Sequence, residues 1–225
     1  MTARKKSLFL IGTLAGFVAG SVCGQGTFQN LDFENGTFVP IQGNSYFVEP
    51  GPALPGWTSY IGTNLAQYAL HNTLSLTPIA DIAIFGPDLP PGEFHGHYYI
   101  VLQAGDDPFG GPGRVNSGIA QTGMIPSDAQ SMRLYLAFGA LSFSFAGQPI
   151  PLTNLGPGGG ASINYNIYGA DVSPFAGQTG ALRLQGVGYL DFIQFSTQPI
   201  PEPRVFGMFA LGALLLGWRF FKRLS

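Results

Sequence analysis

The chain has 225 residues, of which 33 are glycine and 18 are proline, while 10% are charged and 13% are aromatic. This composition is too apolar for a disordered chain and too rich in helix breakers for long helices. Between Asp32 and Glu202 three arginines stand against all twelve acidic residues, which leaves a net charge of −9. Such a surface repels a phosphate backbone, so the sequence argues against nucleic-acid binding.

The first 24 residues have the pattern of a secretory signal peptide. Arg4, Lys5 and Lys6 precede the apolar residues 8–22, and small residues follow. We therefore predict an N-terminal signal helix over residues 1–24, cleaved by signal peptidase after Gly24. An alternative is lipidation of Cys23, the single cysteine, although Val22 before it is bulkier than that processing usually accepts.

Residues 25–197 are predicted to form one exported all-β domain, an antiparallel β-sandwich of the jelly-roll type. Apolar side chains alternate with polar ones along residues 131–138 and again along 141–145, which is the period of a strand with one buried face. The intervening Gly139-Ala140 predicts a turn, and thus a hairpin. Further strands are expected at residues 28–33, 57–62, 80–85, 98–103, 118–124, 163–168, 181–184 and 189–196.

Few motifs in this domain point to chemistry. Neither a nucleophile elbow nor a His-Glu-x-x-His zinc motif occurs, so we predict a protein that is not an enzyme. A glycan hydrolase that uses two paired carboxylates is the alternative. Trp57 and Tyr60 are candidates for stacking on sugar rings, and the alternative for Trp57 is the core. His95 and His97 have a spacing that zinc can use, but we interpret them as surface residues at a strand entry.

Three stretches of the domain give it a family resemblance. The stretch Asn30-Leu31-Asp32-Phe33-Glu34 followed by Pro55-Gly56-Trp57, together with Leu190-Asp191-Phe192 near the end, is similar to the galactose-binding-like jelly-roll domains. The resemblance implies a structural calcium ion held by Glu34 and Asp191, with Asp32 as a further candidate ligand. Calcium takes several hard oxygen ligands, which carboxylates supply. The alternative is that these acids are solvated strand or turn residues.

Residues 198–225 read as a sorting signal. Pro201, Glu202 and Pro203 precede the uncharged residues 205–218, and a basic cluster of Arg219, Lys222 and Arg223 follows. A 14-residue helix rises about 21 Å, short of the roughly 30 Å hydrocarbon core. Phe220 and Phe221 extend it if Arg219 snorkels, so we predict a single transmembrane helix with a cytoplasmic basic tail.

The three parts of this tail, in this order, resemble the PEP-CTERM sorting signal of bacteria that make exopolysaccharide. The resemblance implies that a membrane protease of the exosortase type removes the tail, after an inner-membrane stage, and that the domain reaches the cell surface or the extracellular matrix. We therefore expect a non-catalytic binding or structural protein associated with exopolysaccharide. A self-associating matrix protein without a ligand is an alternative.

Overall fold

The computed structural model describes residues 26–87, 94–159 and 164–201. Over these ranges the chain is all-β, as predicted, with one short α-helix, α1 (Pro50–Ala53), and one 3-10 turn (Ser173–Phe175). Among these residues no helix has the length and apolarity needed to cross a membrane. Both predicted terminal helices lie outside the described residues.

The strands are short except for two that run through the middle of the fold. In chain order they are β1 (Pro40–Ile41), β2 (Asn44–Val48), β3 (Thr58–Ile61), β4 (Asn64–Leu65), β5 (Ala69–His71), β6 (Asp81–Phe85), β7 (Tyr99–Gln103), β8 (Gly105–Asp106), β9 (Arg114–Val115), β10 (Ser117–Met124), β11 (Ser131–Phe145), β12 (Gln148–Ile150), β13 (Thr153–Pro157), β14 (Asn166–Asp171) and β15 (Thr179–Ser196).

Within the described ranges, thirteen of these strands form one curled sheet, and β8 and β9 form a separate ribbon. The order along the sheet is β1-β2-β5-β6-β7-β15-β10-β3-β4, while β11 pairs with β12, β14 and β15, and β13 pairs with β14. All pairs in this sheet are antiparallel except β5 with β6, where Leu70 lies opposite Ala83. The chain crosses over between these two strands through residues 72–80, so the sheet is mixed rather than wholly antiparallel as predicted.

The predicted hairpin at Gly139-Ala140 is wrong, because β11 continues through both residues. Ala137 pairs with Tyr189 and Ala140 with Val187, so Phe138 and Gly139 together oppose the single residue Gly188 of β15. This is a β-bulge, which bends a strand without ending it. A Cβ on Gly139 would collide with the backbone carbonyl oxygen of Val187, so only glycine fits there.

The curled sheet buries side chains on both faces. On β6, Ile82 and Ile84 enter an inner core, whereas Ala83 and Phe85 face an outer cluster, in keeping with the two-residue period of a strand. The inner core is the larger one and includes Leu31, Phe33, Trp57, Ile82, Ile84, Ile119, Leu134, Phe145, Leu190, Ile193 and Phe195. The outer aromatic cluster comprises Leu70, Ala83, Phe94, Tyr99, Val101, Ala137 and Tyr165, with further rings packed against it.

Residues 28–33 do not form the predicted strand. Asn30 and Phe33 have φ angles of 49° and 61°, which turn the chain, although Leu31 and Phe33 are fully buried. The Ile193 amide donates a 2.8 Å hydrogen bond to the Leu31 carbonyl, and Trp57 Nε1 donates a 2.9 Å bond to the Asn30 carbonyl. The segment therefore lies along β15 near its end, which brings Asp32 and Glu34 close to Asp191.

The bulge predicts a steric test of the fold. We expect Gly139→Ala to lower the free energy of unfolding by about 1–3 kcal/mol, because the added methyl group displaces the Val187 carbonyl and overpacks the bend. Urea denaturation followed by circular dichroism measures this loss. Gly51→Ala is the matched control, because nothing lies within 4 Å of a Cβ there. Equal losses in the two variants would contradict the role of the bulge.

Candidate functional site

Glu34 and Asp191 hold the same loop, residues 94–98, which we call the capping loop. Glu34 Oε1 accepts hydrogen bonds from the backbone amides of His97 at 2.7 Å and Tyr98 at 2.9 Å. Asp191 Oδ2 accepts a 2.9 Å bond from the His95 amide. Two acids that are far apart in sequence thus fasten one loop to the sheet through its backbone.

Gly96 lets the capping loop approach this closely. Its φ is +66°, which favours glycine, and a Cβ there would overlap the Glu34 carboxylate. The loop is also held by its rings. Phe94 makes edge contacts with Tyr99 and Tyr165 at centroid distances of 5.4 and 5.2 Å, and the His95 ring lies 3.9 Å from that of Phe192.

Asp191 stands just before a second bulge in β15. Tyr135 pairs with Asp191 and Arg133 with Gln194, so Phe192 and Ile193 together oppose Leu134, and Phe192 has a φ of +46°. Leu190 pairs with Leu136 and faces the inner core, so regular alternation turns Asp191, opposite Tyr135, to the outer face. The outer cluster and the capping loop cover that face, so Asp191 is 0% exposed, and its Oδ1 accepts a 2.6 Å bond from the Phe192 amide.

Burial changes the acidity of two carboxyl groups. It raises the pKa of Asp191 to about 8, against the opposing effect of the Phe192 and His95 amides, and the nearby Glu34 and Asp32 carboxylates raise it further. Burial likewise raises the pKa of Asp81, which is 2% exposed, to about 6, although the Ile82 amide opposes the shift. At neutral pH Asp191 is therefore largely protonated.

The three predicted calcium ligands lie close together, but two of them already accept hydrogen bonds from backbone amides. Glu34, Asp32 and Asp191 are near enough for their charges to interact, and their oxygens are the donors that calcium prefers. Yet backbone N–H groups already bind oxygens of Glu34 and Asp191. Over residues 26–87, 94–159 and 164–201, no group of three or more His, Cys, Asp or Glu side chains is placed to hold a metal ion. Calcium stays a prediction.

The sequence did not indicate the role of the capping loop. His95 and His97 were interpreted as surface residues at a strand entry or as a zinc pair, and both are exposed. Their backbone amides, not their imidazoles, make the contacts to the two acids. The only sequence signal was Gly96 between them, which marks a possible close approach of the backbone but does not name its partner.

The two aromatic candidates lie in different surroundings. Trp57 is 5% exposed and packs in the inner core, with its ring 5.8 Å from that of Phe33. Its burial agrees with the core alternative and leaves no face for a sugar. Tyr60 is half-buried, and the Arg183 guanidinium lies 4.9 Å from its ring centroid, where the positive charge favours the ring face.

The sorting motif lies at the edge of the described structure. Pro201 is the last described residue and is exposed. Glu202 and Pro203 lie outside the described residues, as do Arg219, Lys222 and Arg223 of the basic tail.

Comparison with known proteins yields no relative. The chain matches no protein-family model, no curated protein and no solved structure. Function must therefore be inferred from the motifs and from the geometry of the fold.

The raised pKa of Asp191 predicts a pH dependence of stability. Its pKa is near 4 in the unfolded chain and about 8 in the folded one, so the folded state binds the extra proton between these values. This contribution is fully present below about pH 4 and is lost as pH rises to about 8, by at most about 1.4 kcal/mol per pH unit. We expect a lower free energy of unfolding at pH 8 than at pH 5.

Urea titrations at a series of pH values measure this loss. Asp191→Asn should flatten the curve between about pH 6 and 8, whereas Asp81 leaves a slope below about pH 6. Asp106→Asn, at an exposed position, is the matched control and should keep the wild-type slope. A wild-type stability that rises from pH 5 to pH 8 would contradict the prediction.

Proposed function

We propose that this protein is exported through its signal peptide and sorted through a PEP-CTERM tail. A membrane protease of the exosortase type removes the tail. The domain then acts at the cell surface or in the extracellular matrix as a non-catalytic binding or structural protein associated with exopolysaccharide.

The observation that carries the proposal is the exposure of Pro201, the first residue of the Pro-Glu-Pro motif, just after the last strand that the structure describes. β15 ends at Ser196, and Ser131 Oγ donates a 2.6 Å hydrogen bond to the Gln198 carbonyl. Ile200 still packs on the domain, since its Cδ1 lies 3.1 Å from the position of a Cβ on Gly169. An exposed residue so close to the end of the sheet can be reached by a protease without unfolding of the sheet.

The curled sheet also supports the finer fold that we propose, a jelly-roll sandwich. Strands on both sides of β15 contribute to one inner core, which takes Ile119 from β10 and Ile82 from β6. The bulge at Phe138 and Gly139 lets β11 and β15 run through both halves of the sheet. Long bent strands shared by two packed layers are one way in which sandwiches make their corners.

The burial of Asp191 and the hydrogen bonds of both acids support a non-catalytic role. A glycoside hydrolase needs two carboxyl groups on either side of a bond that the solvent-borne substrate can reach. Asp191 is 0% exposed, and both Asp191 and Glu34 accept hydrogen bonds from the capping loop. These groups therefore fasten a loop rather than face a substrate.

A structural calcium ion is part of the proposal. Its support is the convergence of Asp32 and Glu34 on Asp191, where each added negative charge raises the pKa of the buried carboxyl group. A divalent cation would offset this repulsion. Glu34, Asp191 and Asp32 would hold the ion and tie residues 30–34 to β15.

Mass spectrometry of the intact protein from its native cells tests the sorting proposal. We expect a mature chain that lacks residues 1–24 and the basic tail after the Pro-Glu-Pro motif. The double variant Glu202→Ala, Pro203→Ala should keep its tail and stay in the membrane fraction, because the protease no longer recognises it. Gln198→Ala, at an exposed position just upstream, is the control and should be processed normally. A wild-type chain with an intact tail in the soluble fraction would overturn the proposal.

Thermal unfolding with calcium or with excess EDTA tests the calcium proposal. Saturation at about 100 times the dissociation constant stabilises the folded state by about 2.7 kcal/mol, which raises Tm on the order of 5–10 °C. Asp191→Asn should abolish this rise, while Glu49→Gln, at an exposed position, should keep it. The same Tm with calcium and with EDTA would contradict the proposal.

A further inference from the structure

An open cleft lies at the β1–β2 edge of the sheet, away from the capping loop. Its volume is about 550 Å³, within the range of roughly 300–1,000 Å³ that is usual for ligand sites. Six residues line it: Ile41, Gln42, Asn44, Phe47, Gln67 and Tyr68.

A tight turn and an aromatic pair shape the cleft. Gln42 and Gly43, with φ angles of 52° and 74°, turn the chain between β1 and β2, as the two central residues of a short hairpin do. Phe47 of β2 pairs with Leu70 of β5, and both side chains belong to the outer face of the sheet. The Phe47 ring meets the Tyr68 ring edge to face at 5.0 Å, which gives the cleft an apolar aromatic wall.

Side-chain amides supply the polar part of the lining. Gln42 and Gln67 are exposed and have no side-chain hydrogen bond to other residues in the described part of the chain. Asn44 Oδ1 accepts a 3.0 Å bond from the Tyr46 amide, so its Nδ2 remains a donor. Each amide offers donors and acceptors without charge, which suits the neighbouring hydroxyl groups of a sugar.

The lack of charged side chains in the lining favours a neutral ligand. None of the six lining side chains is an acid or a base apart from the Tyr68 hydroxyl. Burial and the nearby Asp81 carboxylate raise the pKa of Tyr68, so its hydroxyl group stays protonated and can donate. The nearby Asp81 carboxylate would repel an anionic sugar, and the lining contains no lysine or arginine to offset this repulsion. A uronate, sulfate or phosphate group is therefore disfavoured.

We propose that this cleft binds a segment of a neutral glycan, with the Phe47 and Tyr68 rings against a sugar ring and the three amides on its hydroxyl groups. The inference rests on the proposed function, because it names the site and the class of exopolysaccharide that the domain contacts. Aromatic rings bury a large apolar area at little cost in conformational entropy, and the amides fix orientation.

Affinity gels with the purified full-length protein test the inference. The probes are neutral β-1,4-glucan, β-1,3-glucan, mannan and galactan, with alginate and polygalacturonate as anionic probes. We expect retention on at least one neutral glycan, and Tyr68→Ala should weaken it about tenfold or more. The double variant Gln42→Ala, Gln67→Ala, at exposed positions that leave the fold intact, should weaken it several-fold.

Tyr46→Ala is the matched control. Tyr46 is 57% exposed and neighbours Phe47 in β2, but it does not line the cleft. The affinity of the Tyr46→Ala variant for the neutral glycan should stay within twofold of the wild type. If neither Tyr68→Ala nor the glutamine variant changes the retention, the glycan does not bind in this cleft. That outcome would overturn the cleft proposal but not the association with exopolysaccharide. Retention on the anionic probes alone, or on no probe, would also overturn the cleft proposal. Mass spectrometry of the termini tests sorting independently of either result.

Discussion

The fold depends on the pairing of β11 with β15 along nearly their whole lengths. These strands cross from one half of the curled sheet to the other, and β15 pairs on its second edge first with β10 and then with β7. Such a strand must bend without losing its partner. The bulge of Phe138 and Gly139 against Gly188 achieves this, because glycine lets the backbones approach where a Cβ would strike a carbonyl oxygen. The inner core fills the space that the bend encloses.

The end of β15 organises the candidate site. The hydrogen bond from Ile193 to Leu31 places residues 30–34 along the strand, so that Asp32 and Glu34 lie near Asp191. Glu34 and Asp191 then hold the capping loop through its amides. Asp191 is thus buried beside two half-buried carboxyl groups, and burial together with their charges raises its pKa. No cysteine lies between Gln25 and the end of the chain, so this domain is held by packing and hydrogen bonds rather than by disulfides.

The proposed glycan cleft and the proposed sorting tail lie on parts of the chain that the capping site does not use. The cleft belongs to the edge hairpin of β1 and β2, where uncharged amides surround an aromatic pair. The tail follows Ile200, the last side chain seen packed on the domain. The domain can therefore keep the proposed glycan surface after the proposed removal of the tail, because the two features share no residue.

The sequence by itself determined the all-β class, the positions of the long strands β10, β11 and β15, and the residue types near Asp191, because alternating apolar residues and abundant turn formers leave little choice of secondary structure. It also predicts a signal peptide and a sorting tail, which lie outside the described residues except for Pro201. The tertiary structure decided what alternation could not. Gly139-Ala140 has the composition of a turn, yet pairing with β15 on one side keeps β11 continuous. By its residue type Asp191 could be a solvated turn acid, yet it is buried where the capping loop donates the His95 amide. Both outcomes depend on partners that are distant in sequence, and a local pattern contains no information about them.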